Sequence, residues 1–284
     1  MKPMPTNPVI ALLTDFVLED PFVGIMKGVI AKLAPGTRII DITHAIPQGD
    51  IQRAAVQLWM TRPYFPSGTV FLTVVDPGVG TERKAIITRD DKYTYIGPDN
   101  GIFSYIADES STAWELSNPK YQLAQSSATF HGRDIFAPAA AHAAIGVPAA
   151  DFGLPVGDII RLQKPKLQIY SDRIIGETIY VDHFGNLLTS LGKFIKSGEQ
   201  GYKFEPWLGV NNEFTSGFEI QVDRATLLLS DGAILNWVET FAEIPNGDCG
   251  ILVGSTGLIE IAALNQSAQE LTNLSLGATV TLLF

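Results

Sequence analysis

The chain has one cysteine, Cys249. An internal disulfide framework is therefore excluded, and a reducing compartment is expected. Charge is sparse: 18% of residues are Asp, Glu, Lys or Arg, against 46% apolar. A soluble domain ordinarily carries about 25%, so a surface covered by further copies of the same chain is expected. Positive charge is scarcer than negative, and the net charge of −10 argues against nucleic acid or an anionic membrane as partner. No apolar run approaches the roughly 20 residues of a membrane helix. Met1 to Pro8 holds one lysine, three prolines and no apolar centre, so no signal peptide is expected there. These absences together predict a cytoplasmic protein. Several catalytic signatures are also missing. No Gly-x-Gly-x-x-Gly follows the first apolar segment, and there is no phosphate-binding P-loop and no Gly-x-Ser-x-Gly elbow. No His/Cys pair has metal-ligand spacing, so no metal is expected.

The 284 residues that remain suffice for two domains. Val9 to Leu13, Thr37 to His44 and Thr69 to Val75 read as strands. Helices are predicted between them, over Phe22 to Leu33 and Ile51 to Met60, with Asp20 as cap and Pro21 at the first helical position of the former. This alternation predicts a mostly parallel sheet with flanking helices. A hairpin over Lys84 to Ile96, a short helix from Ile102 to Ala107, a strand at Trp114 to Leu116 and a helix over Ile135 to Ile145 are expected next. From Gly153 a connecting arm runs to about Gln168. Beyond it, short strands separated by Gly, Asn, Asp and Ser predict a small all-β barrel or sandwich. The expected domains are an α/β domain over residues 1–165 and a smaller β-barrel domain over 166–284.

The third strand ends in Asp76-Pro77-Gly78-Val79-Gly80-Thr81-Glu82-Arg83. Pro77 and the two glycines favour a sharp turn that lets Asp76 and Arg83 face each other, at the strand end where open α/β sheets bind ligands. Read alone, the loop fits equally a solvated surface ion pair. Asp15 holds the same place after the first strand. His131 precedes Gly132 and a predicted helix start, where backbone amides favour an anion; beside Asp76 and Arg83 it becomes an acid/base group. Of the other histidines, His142 reads as structural, His44 as a pocket neighbour and His183 as exposed. In the second domain, Asp182-His183-Phe184-Gly185-Asn186 reads either as a β-turn or as a nucleoside grip, with Phe184 stacking and Asn186 donating and accepting. Gly254-Ser255-Thr256-Gly257 lets a ligand approach the backbone. Glu260 interrupts an apolar run and needs either solvent or a ligand donor.

These segments, taken in order from Leu13-Thr14-Asp15-Phe16 through Asp41-Ile42-Thr43-His44, Val75 to Gly80, Gly97 to Gly101, Phe130 to Asp134 and Asp182 to Asn186 to Gly254-Ser255-Thr256-Gly257, resemble the S-adenosyl-L-methionine hydroxide adenosyltransferases. The fluorinating and chlorinating enzymes are relatives of that family. The resemblance spans nearly the whole chain. It implies a trimer that holds S-adenosyl-L-methionine between the first domain of one subunit and the second domain of its neighbour, with no cofactor. It implies attack of water or hydroxide on ribose C5′, giving adenosine and methionine. Asp76, Arg83 and His131 stand at the positions of the family's catalytic set, and Asp15 at that of the ribose grip. Asn186, Ser255, Glu260 and Ala262 stand at adenosine positions, and Asp182 near the methionine end. The fluorinating relatives have tyrosine at Asp76, serine and tyrosine in the segment Phe130-His131-Gly132, and an insertion after Arg83 that this chain lacks. Halide transfer is thus the second reading. A nucleoside-binding protein without chemistry is the third.

Overall fold

The computed structural model describes residues 8–107, 111–198, 201–206, 218–221 and 224–284. The chain divides between Leu162 and Gln163 into two compact units.

The first unit holds β1 (Val9–Thr14), α1 (Phe22–Leu33), β2 (Arg38–Thr43), α2 (Ile51–Thr61), β3 (Val70–Val74), β4 (Ala85–Arg89), β5 (Thr94–Pro98), β6 (Thr112–Glu115), α3 (Ala137–Ala144) and β7 (Pro155–Val156). They build one seven-stranded sheet in the order β2-β1-β3-β5-β4-β6-β7. Strands β2, β1, β3 and β5 run parallel, and β4, β6 and β7 add antiparallel neighbours. Every residue of β1 and β3 is buried, which is why both read as unbroken apolar runs. The chain leaves β1 for β2 on one side and returns to β3 on the other. Such a reversal opens a crevice at the strands' C-terminal ends. Thr14 pairs with Val74, so the residues following these two strands emerge side by side. Helix α1 buries Val23, Met26 and Ile30 in a core shared with Phe136 and Ala140.

Three local expectations are corrected. Asp20 does not cap α1: Pro21 occupies the N-cap position, no side chain bonds the helix start, and the Pro21 carbonyl accepts from Ile25 N–H at 2.8 Å. Ile102 to Ala107 forms successive turns, not a helix. There the Ser104 hydroxyl donates to the Gly101 carbonyl at 2.5 Å and accepts from the Leu162 amide at 2.7 Å, in competition with a helical ladder. The helix expected over Ile135 to Ile145 is a five-residue π-helical turn, Gly132–Phe136, followed by the shorter α3. Pro138 cannot donate to Asp134, whose carbonyl accepts from Leu123 N–H at 2.9 Å instead.

The second unit holds β8 (Leu167–Ile169), β9 (Arg173–Val181), β10 (Leu187–Ser197), β11 (Gly201–Glu205), β12 (Glu219–Gln221), β13 (Thr226–Leu229), β14 (Ile234–Asn236), β15 (Cys249–Val253), β16 (Leu258–Ala263), α4 (Ala268–Thr272) and β17 (Thr279–Leu283). All its strand ladders are antiparallel. The main path is β12-β11-β10-β9-β17-β13-β14, with β16 joined to β10, β15 to β16, and β8 to β9. Strand β10 reaches several partners because its register shifts in two ladders and Gly192 takes φ +106°. The expected closed barrel is thus met as a separate antiparallel sheet whose ladder does not close among the described residues. The strand expected over Phe218 to Val222 is shorter, and Val222 lies outside those residues. Strands β8, β11 and β14 and helix α4 were not anticipated.

Candidate active site

Val75 continues β3 into the core, and the chain then turns. Val79 N–H bonds the Asp76 carbonyl at 3.2 Å, and Thr81 N–H bonds that of Gly78 at 3.1 Å. Gly80 has φ +78°, and a Cβ there would stand 2.6 Å from the Ala128 carbonyl. Only glycine lets this loop touch the segment leading to His131. Arg83 is folded back as a result. Its Nε donates to Asp76 Oδ1 at 2.8 Å and its Nη2 to Oδ2 at 2.5 Å. The two side chains are 8% and 5% exposed, so they are not the solvated pair the loop alone allowed. The guanidinium carbon lies 5.3 Å from the centre of the Phe136 ring.

Arg83 Nη2 also stands 2.7 Å from His131 Nδ1. A guanidinium only donates, so Nδ1 accepts and the imidazole is neutral with its proton on Nε2. Burial, then the Arg83 charge, hold the imidazole below its usual pKa, against the opposing pull of Asp76 and Asp134. The amides of Arg133 and Asp134 bond the Phe130 carbonyl at 3.1 and 3.2 Å. They are therefore engaged within the turn, unlike the free anion cradle expected around Gly132.

Asp15 accepts from Gly49 N–H at 2.9 Å. Burial raises its carboxyl above the ordinary carboxylate range, and the charge of Asp76 adds to this. Further polar residues brace the loops around Asp15, Asp76 and His131. His44 is buried, with Nδ1 2.8 Å from Thr14 Oγ1 and Nε2 3.1 Å from Asp41 Oδ1. Its carbonyl accepts from Val17 N–H at 2.8 Å, and Val17 takes φ +51°. Asn100 Nδ2 bonds the Val75 carbonyl at 2.8 Å, just before Asp76. Asp134 is fully buried, accepts from Ser127 N–H at 2.8 Å and holds Arg133. The signal for all three lay in the short polar motifs around them, which carry no periodicity.

In the second unit, the segment after β9 forms the expected β-turn. Gly185 has φ +85°, and the turn is clamped by Asp182. The Asp182 Oδ1 accepts from the amides of Phe184 and Asn186 at 2.8 and 2.9 Å, and its Oδ2 accepts from Asn186 Nδ2 at 2.9 Å. The Asn186 carbonyl oxygen is thereby turned the other way. Asp182, Phe184, Asn186, Ser255 and Glu260 line one cavity of about 950 Å³. Phe184 is 75% exposed, a free aromatic face. Ala262 does not line the cavity. It lies on the Glu260 face of β16 but packs with Ile244 and Leu252. Burial, then the neighbouring Asp182, push the Glu260 carboxyl up to about 7.

Comparison with known proteins agrees with this division. Family models of the SAM hydroxide adenosyltransferase N-terminal and C-terminal domains match residues 10–153 and 176–281. The chain is 37% identical to an (R)-S-adenosyl-L-methionine hydrolase of Thermus thermophilus, over 95% of this chain and 98% of the relative. It is 45% identical to one of Salinispora arenicola, over 68% and 76%. A fluorinase of an Actinoplanes species is 29% identical, over 97% of each. The crystal structure of an uncharacterized conserved protein from Thermotoga maritima superposes with a TM-score of 0.82 at 30% identity, covering 97% of this chain and all of that one.

Proposed function

Because the chain belongs to the SAM hydroxide adenosyltransferase family, we propose that it hydrolyses S-adenosyl-L-methionine to adenosine and L-methionine, with oxygen attacking ribose C5′. The observation that carries this is the linked set Asp76, Arg83 and His131, joined at 2.5–2.8 Å. The substrate is a sulfonium, so methionine departs as a neutral thioether and its leaving group needs no proton. What the reaction lacks is a good nucleophile. Arg83 supplies permanent positive charge, which favours hydroxide over water. His131 Nδ1 is occupied by Arg83, so its Nε2–H is free to donate to that oxygen. The proton accordingly leaves through the Asp76 carboxylate, whose oxygens keep lone pairs beyond the two Arg83 contacts. Holding the oxygen in line with C5′ and sulfur is worth potentially ~7–11 kcal/mol.

Asp15 grips the ribose hydroxyls, Asn186, Ser255 and Glu260 bind adenosine, Phe184 stacks, and Asp182 lies near the methionine end. None of these steps calls for a cofactor. Among the described residues the unit-2 cavity is lined by no arginine or histidine, which supports an activating set supplied by a first unit. We infer that this is the neighbour's, in a homotrimer. We also read the second unit's sheet as a barrel, supported by the bridge between Trp237 and Ile251. Among the described residues no helix is long and apolar enough to cross a membrane. With the single cysteine, that supports a cytoplasmic enzyme.

Halide transfer is tested directly. Incubation with S-adenosyl-L-methionine in chloride-free and chloride-rich buffer, followed by chromatography, is expected to give adenosine in both. A chloride-dependent 5′-chloro-5′-deoxyadenosine peak would reject hydrolysis; the buried Asp76 carboxylate argues against a bound anion. A second expectation concerns pH. Burial and the Arg83 charge hold the His131 pKa below its ordinary value, which favours the neutral ring at neutral pH. The acid limb of kcat at saturating substrate should therefore lie below pH 6.5, and a limb above that value would contradict a neutral His131.

A further inference from the structure

Among the described residues of the second unit, the one buried acid is left unsatisfied by the protein. Glu260 is 9% exposed and has no hydrogen-bond or ion-pair partner among the described residues. It lies on β16 opposite Leu252 and Leu188 and between Ile259 and Ile261 along the strand. Its carboxyl is laid over the backbone of Gly254, where a Cβ would sit 1.7 Å from Oε1. The charged side chains lining the cavity are Asp182, Glu239 and Glu260, all acids. Asp182 is engaged in three hydrogen bonds within its own turn, and Glu239 is paired with Lys196 at 2.9 Å. Strands β10 and β15 present Leu188, Leu252 and Val253 to this region, none of which ionises. Glu260 is thus the acid with an open valence, aimed into a cavity that holds no compensating cation.

A buried acid beside other acids resists ionisation, and a positive ligand reverses that. S-adenosyl-L-methionine carries a sulfonium, an ammonium and a carboxylate, for a net charge of about +1 at neutral pH. Adenosine carries none. We propose that Glu260 is the group by which the site distinguishes its cationic substrate from its neutral product: it ionises when the cation binds, releasing a proton to solvent, and is protonated again when adenosine alone remains. Substrate capture and product release then use the same side chain in two charge states. This rests on the hydrolase reading above. It has a definite sign. Above neutral pH Glu260 is already ionised and the cation binds without displacing a proton. Below it the proton must be displaced, and affinity for the cation falls as pH falls.

Calorimetry from pH 5.5 to 8 with two ligands tests it: adenosine, and sinefungin, in which a carbon bearing an ammonium replaces the sulfonium. The ratio of sinefungin to adenosine affinity is expected to rise by about tenfold over this range. In Glu260→Gln the ratio should be flat. In Gly254→Ala, which displaces the carboxyl without removing it, the slope should shrink. A flat ratio in the unmodified protein, or a slope that survives both variants, overturns the proposal while leaving the hydrolase reading intact. If neither ligand binds the unmodified protein, both readings fall.

Discussion

Replacing Arg83 by lysine is expected to lower kcat for adenosine formation by about a hundred- to a thousandfold, or roughly 2.7–4 kcal/mol, the scale of losing a preorganised charge-stabilising donor. Charge is conserved in this substitution, so only geometry is lost. The guanidinium reaches both oxygens of Asp76 and His131 Nδ1 together. An ammonium is a compact point charge on a shorter stem and cannot reproduce that fork. With Nδ1 released, the imidazole is free to change tautomer, and its Nε2–H is no longer fixed toward the nucleophile. Adenosine binding should change far less, because the proposed adenosine contacts are elsewhere. Product chromatography with calorimetry on the same variant separates the outcomes. Near-normal turnover would make the pair structural. An unmodified protein that binds adenosine but forms none from S-adenosyl-L-methionine would favour a nucleoside-binding protein.

Gly97→Ala is expected to destabilise the first unit strongly. The new Cβ would stand 2.3 Å from the Thr73 carbonyl and 3.1 Å from the Phe103 ring. Neither can yield cheaply, since one is backbone in the neighbouring strand and the other is fully enclosed. Overpacking with a backbone shift costs about 1–3 kcal/mol, and separating β3 from β5 should carry it to roughly 4–5 kcal/mol. For a protein of this size that lowers the melting temperature by about 10 °C. A melting scan within two degrees of the unmodified protein would show that β3 and β5 separate easily. Because β3 delivers Asp76, the residual folded fraction should also lose turnover.

Periodicity explains which parts of this fold were legible. Strands β1 to β3 and helices α1 and α2 follow from apolar spacing, and their positions were readable within a residue or two. The breakdown of the helix at Ile102 to Ala107 was not, because it turns on one hydroxyl, that of Ser104, taking the Gly101 carbonyl. The π-helical turn before α3 depends on Pro138 leaving a carbonyl to be satisfied from Leu123. Strands β8, β11 and β14 are three to five residues long, too short for alternation to stand out. At the site, the meeting of Asp76 and Arg83 was implicit in Pro77, Gly78 and Gly80. The tautomer of His131 was not, since it depends on which ring nitrogen faces the guanidinium. Glu260 was legible as an acid in an apolar strand, whereas the inward-packed Ala262 gave no sign of its direction.

The touching backbones at Gly80 and Ala128 carry one last implication. Arg83 and His131 lie on separate stretches of chain, and this contact seats one on the other. On the proposed mechanism the trio is therefore assembled by the folding of the polypeptide itself. Lengthening either stretch by even one residue is expected to unseat them, so the proposed chemistry depends on the spacing of the main chain as well as on the identity of the three side chains.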